Sequence, residues 1–407
     1  MKLNIQFWLR FSLINLCIVA LLGLLMRYKI GFEFPFFNQK YLLHSHSHFA
    51  FAGWISHTLM VLMVYCLQSR IPLFNGTKYT KIIVLNLICS YGMLLFFMFY
   101  GYGMASIFFS TLSILVSYYF AIAFVGDIRR LRIKSLSASC FRAALFFNVL
   151  SSLGTFVLAY MMITKNISQN GQLAAIYYFL HFQYNGWFFF AAMGLLLDQL
   201  NLHSSSAPVI RTAFRLFFIS CLPAYFLSIL WLEIPVWFYA LIVVAACTQV
   251  YAWIILLLAI RKANPIIIRM QPPILRYILY TVAIALSLKV LLQLGSVIPV
   301  VSDLAFGFRP IVIAYLHLVL LAVISIFLLF YIYANALFRH TKNVLMALLL
   351  FAIAVWLNEL VLAIQGIASF SYTAVPYANI MLFVAAILLL AGSGLLAYFS
   401  LKKDNKI

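Results

Sequence analysis

Apolar positions in this chain gather into long uninterrupted runs separated by short polar connections. The runs fall at residues 8–27, 43–67, 80–100, 104–126, 141–163, 173–199, 209–231, 235–260, 275–296, 308–334, 343–366 and 375–401. About 20 such residues carry a helix across a bilayer, and only helices or closed barrels satisfy their own backbone polar groups in lipid. The weak alternating pattern of barrel strands is missing. The pattern therefore predicts an all-α polytopic membrane protein, with twelve transmembrane helices in a single domain over 1–407. The shortest connection is Tyr100-Gly-Tyr-Gly103, between the third and fourth helices. Lys2 and Arg10 precede the first apolar run as in a signal sequence. No small-residue cleavage site follows, so the run is read as a retained first helix.

Composition agrees: 66% of the 407 residues are hydrophobic and 8% charged, with a mean hydropathy of +1.09. The formal net charge of +20 invites a nucleic-acid reading, but the distribution excludes one. Lys and Arg sit in connections, with no dense basic tract interleaved with aromatics. Arg70, Lys78 and Lys81 separate helices 2 and 3; Arg129, Arg130, Arg132, Lys134 and Arg142 separate helices 4 and 5. Further basic residues follow helices 8, 10 and 12, whereas Lys165 stands alone after helix 5. Arg27, Lys29 and Lys40 after helix 1 are the exception. By the positive-inside rule both termini are expected in the cytoplasm. The six cysteines occur singly, without CxxC or CxxCH, and read as small buried apolar residues.

Candidate chemistry enters at Tyr41-Leu-Leu-His44-Ser-His46-Ser-His48-Phe-Ala-Phe-Ala-Gly53-Trp54-Ile-Ser-His57, which holds four of the eight histidines. Histidine in hydrocarbon is costly and marks function when it faces a bundle interior. His48-Phe-Ala-Phe-Ala-Gly53-Trp54 in helix 2 is echoed by His181-Phe-Gln-Tyr-Asn-Gly186-Trp187 in helix 6. A fainter copy, His317-Leu-Val-Leu-Leu-Ala322-Val323, lies in helix 10. This spacing predicts pseudo-threefold four-helix repeats, approximately 1–126, 127–260 and 261–407. The glycine five residues on suits close helix approach or a flat ligand.

His44 and His48 share a helix face while His46 points nearly opposite, so all three cannot meet one ion. His57 reads as a buried imidazole bonded to a neighbouring helix, Trp54 and Trp187 as core, and His203 and His340 as loop residues without a role. Gln183, Asn185, Lys289, Gln293, Arg309, Tyr315, Asn358, Glu359 and Gln365 are polar positions in the same outer half of the helices, where lipid demands partners.

Twelve helices with histidines high on helices 2, 6 and 10 resemble subunit I of the haem–copper oxidase and nitric oxide reductase superfamily. Leu43-His44-Ser-His46-Ser-His48 through Gly53-Trp54 is similar to the family's helix 2, which supplies an axial ligand of the low-spin haem. Tyr315-Leu316-His317 is similar to the helix 10 His-x-His, whose second histidine is the other low-spin ligand. His181 is similar to the helix 6 histidine that binds copper or non-haem iron. Register against the family favours His44 or His46 as the helix 2 ligand, whereas the internal repeat favours His48. The departures are substantial. Helix 7 has no histidine, Tyr315 replaces the high-spin haem ligand, and helix 6 reads His181-Phe-Gln-Tyr184 in place of His-Pro-Glu-Val-Tyr. The standard oxygen-reducing centre is thus incomplete, which leaves oxidoreductase activity open. A second resemblance is to twelve-helix haem- and copper-containing membrane proteins of the nitric oxide response.

The resemblance implies a b-type, non-covalent haem between helices 2 and 10. Its cofactor-binding candidates are His44, His46, His48 and His317, with Arg309 and Lys289 as propionate partners. It implies electron transfer or nitric oxide and oxygen handling, an electron-donor protein or quinol, a partner membrane subunit, and a bacterial inner membrane. Two readings compete with it. One is a copper or zinc site without haem, drawing on His46, His48, His181 and His317, with His44 beside them. The other is a secondary transporter using the outer-half polar groups.

Overall fold

Side-chain caps start many of the helices. Asn4 Oδ1 accepts the Phe7 amide, Asn38 those of Lys40 and Tyr41, Ser135 that of Ala138, Ser168 that of Gly171, and Thr341 that of Val344. Each satisfies amides that a helix start otherwise leaves unpaired. In this computed structural model, residues 2–71, 74–166, 168–200, 207–232, 234–338 and 341–401 are described, with the backbone alone at 304–307, 309 and 401. His203 and His340 lie outside the described residues, as does the Arg309 side chain.

Among the described residues the elements are all helical. The long ones are α1 (Ile5–Gly31), α2 (Gln39–Gln68), α3 (Thr77–Tyr100), α4 (Met104–Arg130) and α5 (Leu136–Thr164). Next come α6 (169–199), α7 (Ala207–Ile229), α8 (Val236–Ala263) and α9 (Pro273–Gly295). The chain closes with α10 (309–334), α11 (Lys342–Phe370) and α12 (Ala378–Leu401). Two short helices, Ile266–Arg269 and Pro299–Gly307, flank α9.

Eleven of these helices are long and apolar enough to cross a membrane, and the protein is an integral membrane protein. Of the twelve expected spans, α6 forms as a continuous helix but is not among the eleven. Gln169, Asn170, Gln172, His181, Gln183 and Asn185 dilute its apolar content. Outward faces elsewhere are apolar: α4 buries Phe120 and Phe124 while showing Phe108, Leu115, Tyr119 and Ile122. A surface of that kind calls for lipid.

The chain divides into two compact units. The first comprises Met1–Arg130, Pro273–Leu279 and Ser325–Ile407; the second comprises Leu131–Pro272 and Tyr280–Ile324. Within the first, α1 packs on α2 and α12, α12 on α11, α2 on α3, and α3 on α4. Within the second, α5 packs against α6, and α7 against α8. The tight turn after α3 forms where expected, with Gly101 at φ 56°. No Cβ fits there, because one would stand 2.3 Å from the Tyr41 ring.

Candidate functional site

Among the described residues, three π turns interrupt the α-helical ladder, at Ala50–Ser56 in α2, Phe182–Phe188 in α6 and Leu318–Ser325 in α10. They begin two residues after His48 and one residue after His181 and His317, so each falls on a copy of the histidine motif. A π turn squeezes an extra residue into the helix and re-aims the side chains before it; such turns are rare and concentrate at functional sites. It also disturbs the i→i−4 pairing of nearby carbonyls, which then need other donors.

In the first unit those donors come from α1 and α3. Asn15 Nδ2 donates to Gly53 O at 2.6 Å, and the Tyr91 hydroxyl donates to Asn15 Oδ1 at 2.7 Å. Asn86 Nδ2 donates to Ala52 O at 3.3 Å, and the Thr58 hydroxyl to Trp54 O at 2.6 Å. Trp54 Nε1 donates to Ser325 Oγ at 2.8 Å, with both side chains buried. The expectation that Trp54 packs in the core matches its 1% exposure.

The α2 histidines separate as the helix period requires. His46 lies along α1, and its Nδ1 bonds Val19 O at 3.1 Å. His44 and His48 face the α3–α4 turn instead. The His48 ring stacks on Phe97 with centroids 4.2 Å apart, and its Nε2 lies 3.2 Å from the Tyr102 hydroxyl. The His44 ring meets Tyr102 edge-on at 4.6 Å, and its Nε2 is buried without a hydrogen-bond partner. His57 is fully buried and donates from Nε2 to Trp8 O at 3.2 Å, a bond to a neighbouring helix as expected.

In the second unit the Cys221 thiol of α7 donates to Asn185 O within the π turn at 3.7 Å, and the histidine is bonded at both ring nitrogens. His181 Nε2 donates to Cys221 O at 2.9 Å, and Asn185 Nδ2 donates to His181 Nδ1 at 3.1 Å. Both ring nitrogens of this copper or iron candidate are thereby engaged. Gln183 Nε2 donates to Asn148 Oδ1 at 2.9 Å and to Ser151 Oγ at 2.7 Å, tying the turn to α5. A Cβ on Gly186 would stand 2.4 Å from Phe147 Cβ, so this glycine serves close helix approach. Pro223 interrupts α7 two residues beyond Cys221, and a 3₁₀ turn follows at Tyr225–Ile229. Carbonyls near such a break are the ones a side-chain donor can reach.

Lys289 is buried, at 6% exposure. The Tyr184 ring lies edge-on to that of Tyr315, with centroids 6.0 Å apart. His317 Nδ1 bonds Ile313 O at 2.8 Å, one turn back in α10. Among the described residues, no three His, Cys, Asp or Glu side chains converge in a group able to hold a metal ion. Two participants escape a sequence reading. Cys221 acts through its backbone carbonyl and through a thiol bond to Asn185 O, neither of which a sequence pattern announces; Tyr102 is signalled only by the two glycines around it.

No family model matches this chain, and no curated protein shows significant similarity to it.

Proposed function

We propose that this chain is a haem-binding membrane protein of the haem–copper oxidase subunit I type, built from three four-helix repeats. Its axial imidazoles are His46 and His317, and the haem is b-type and non-covalent. The observation that carries the reading is the bond each of these rings makes. In both, Nδ1 meets a backbone carbonyl, Val19 O for His46 and Ile313 O for His317. A carbonyl only accepts, so the proton sits on Nδ1 and the lone pair on Nε2. That is the tautomer and orientation in which an imidazole ligates iron. His57 and His181 show the reverse pattern, with Nε2 donating to a carbonyl.

The same logic favours His46 among the three helix 2 alternatives. The coincidence of three histidine motifs with three π turns supports the repeat. Buried Lys289 supports a propionate contact, a role Arg309 shares. Bound through two imidazoles, a haem supplies one-electron transfer; with one imidazole it supplies a site for oxygen or nitric oxide. The protein's own part is to fix the tautomer of each ligand before iron arrives and to keep the site apolar. We place it in a bacterial inner membrane with both termini cytoplasmic, taking electrons from a donor protein or quinol beside a partner subunit. A copper or zinc site built from His181 with the other histidines has less support, because both His181 nitrogens are engaged.

A reduced-minus-oxidised optical spectrum of the purified protein is the test. A Soret band is expected, lost in His46→Ala and in His317→Ala and retained in folded His181→Ala. Absence of any Soret band from the wild-type protein would sink the reading. Loss of haem in His48→Ala but not in His46→Ala would overturn the ligand assignment.

A further inference from the structure

Within α2, the face opposite His46 carries two histidines that the haem reading leaves unused. We propose that His44 and His48, with the hydroxyl of Tyr102, form a site for one divalent transition-metal ion, Cu2+ in particular. The site stands whether or not haem binds through His46.

Histidines four apart stand one above the other on a helix and can share an ion. Here both rings meet the same tyrosine, His44 edge-on at 4.6 Å and His48 through Nε2 at 3.2 Å from the hydroxyl. Metal bonds of about 2.0–2.2 Å at angles of roughly 90–110° put neighbouring donors about 2.8–3.6 Å apart. The His48–Tyr102 separation falls in that range. His44 Nε2 is buried with no hydrogen-bond partner, which is costly unless a ligand answers it.

The surroundings hold the three groups in place. Phe97 stacks on the His48 ring, and Ser45 Oγ donates to Leu94 O at 2.7 Å, fastening α2 to α3. Ser106 Oγ donates to Gly101 O at 2.6 Å, and the positive φ of Gly101 turns Tyr102 toward the histidines. Tyr102 stays 51% exposed, which leaves an entry path for an ion. Two imidazoles and a phenol oxygen suit borderline metals, and Cu2+ heads the divalent affinity order.

The test is titration of chelator-treated, full-length protein in detergent with Cu2+, read by metal analysis and electron paramagnetic resonance. The expected result is one Cu2+ per chain with hyperfine structure from two nitrogens. His44→Gln and His48→Gln should each remove one nitrogen and weaken binding by about tenfold or more, while His46→Gln and His57→Gln leave the signal unchanged. Tyr102→Phe, which spares both imidazoles, should keep two nitrogens and weaken binding. The proposal is overturned by failure to bind stoichiometric Cu2+, or by a signal that survives His44→Gln with His48→Gln. Dependence on His46 would overturn it as well, and unchanged affinity in Tyr102→Phe would remove the third donor.

Discussion

In the π turn of α2, Asn15 and Asn86 reach in from α1 and α3 to the carbonyls of Gly53 and Ala52. In the π turn of α6 the Cys221 thiol reaches Asn185 O from α7, and the motif's own histidine is drawn in, with His181 bonded to Cys221 O and Asn185 bonded to His181. The same histidine–glycine–tryptophan motif is therefore used in two ways. Where asparagines from other helices hold the turn, the histidines near it bond elsewhere, His46 to Val19 O and His48 to the Tyr102 hydroxyl. Where the histidine holds the turn, both its nitrogens are consumed and it becomes part of the scaffold. A histidine in a repeat cannot be assigned a role from its position alone; what else braces the backbone decides.

The strongest way to break this contrast is His181→Ala. It strips the Cys221 carbonyl and the Asn185 amide of a partner in a fully buried place, each worth about 1–3 kcal/mol when orphaned, and adds a cavity. A loss of about 3 kcal/mol or more is expected, seen as a large drop in thermal stability in detergent. His46→Ala removes a bond to Val19 O, a carbonyl that lies within helix α1, and should cost clearly less while abolishing haem binding. Equal stability of the two variants would refute the division of labour.

Next in size is Gly186→Ala. The added methyl would press on Phe147 Cβ at 2.4 Å, backbone-proximal and unable to swing away. Overpacking of that kind costs about 1–3 kcal/mol. Gly53→Ala is the comparison, since its Cβ meets the Phe49 ring at 2.7 Å, in the same helix. A ring can tilt, so Gly53→Ala is expected to be milder. The reverse ranking in the same melting assay would mean that α5–α6 approach is looser than the geometry indicates.

These contrasts also mark how far the sequence could be read. The spans were legible because lipid imposes one length and one composition on every crossing helix. The run at 173–199 also forms a helix, α6, although its polar residues keep it out of the eleven candidate spans. The motif copies at His48, His181 and His317 were legible because a fixed spacing survives in the chain. The π turns on those copies were not, since what braces them is remote in sequence: in α2 it is Asn15 and Asn86, which lie 38 and 34 residues from the carbonyls they meet. The facing of His44 and His48 against His46 followed from the helix period. That Tyr102 would close over the first two did not, because the turn carrying it reads as a mere interruption between apolar runs. The bond of His181 to Cys221 O was not legible either, because it joins parts of the chain that only folding brings together.

The finest probe of the comparison lies inside the α2 brace. Asn15 donates at 2.6 Å and is itself held by the Tyr91 hydroxyl at 2.7 Å, whereas Asn86 donates at 3.3 Å. Ala52 O also receives the His57 amide through the π pairing, so losing Asn86 does not leave it bare. Asn86→Ala should therefore cost about 0.5–1 kcal/mol, near the average for polar contacts between membrane helices. Asn15→Ala orphans both Gly53 O and a tyrosine hydroxyl and should cost about 1–3 kcal/mol. If the turn positions His46 and His48, Asn15→Ala should also disturb ligand binding there, with Asn86→Ala close to wild type. A melt and a haem spectrum on the same two preparations separate these outcomes. An Asn86→Ala variant more damaged than Asn15→Ala would show that the brace comes from α3 rather than α1.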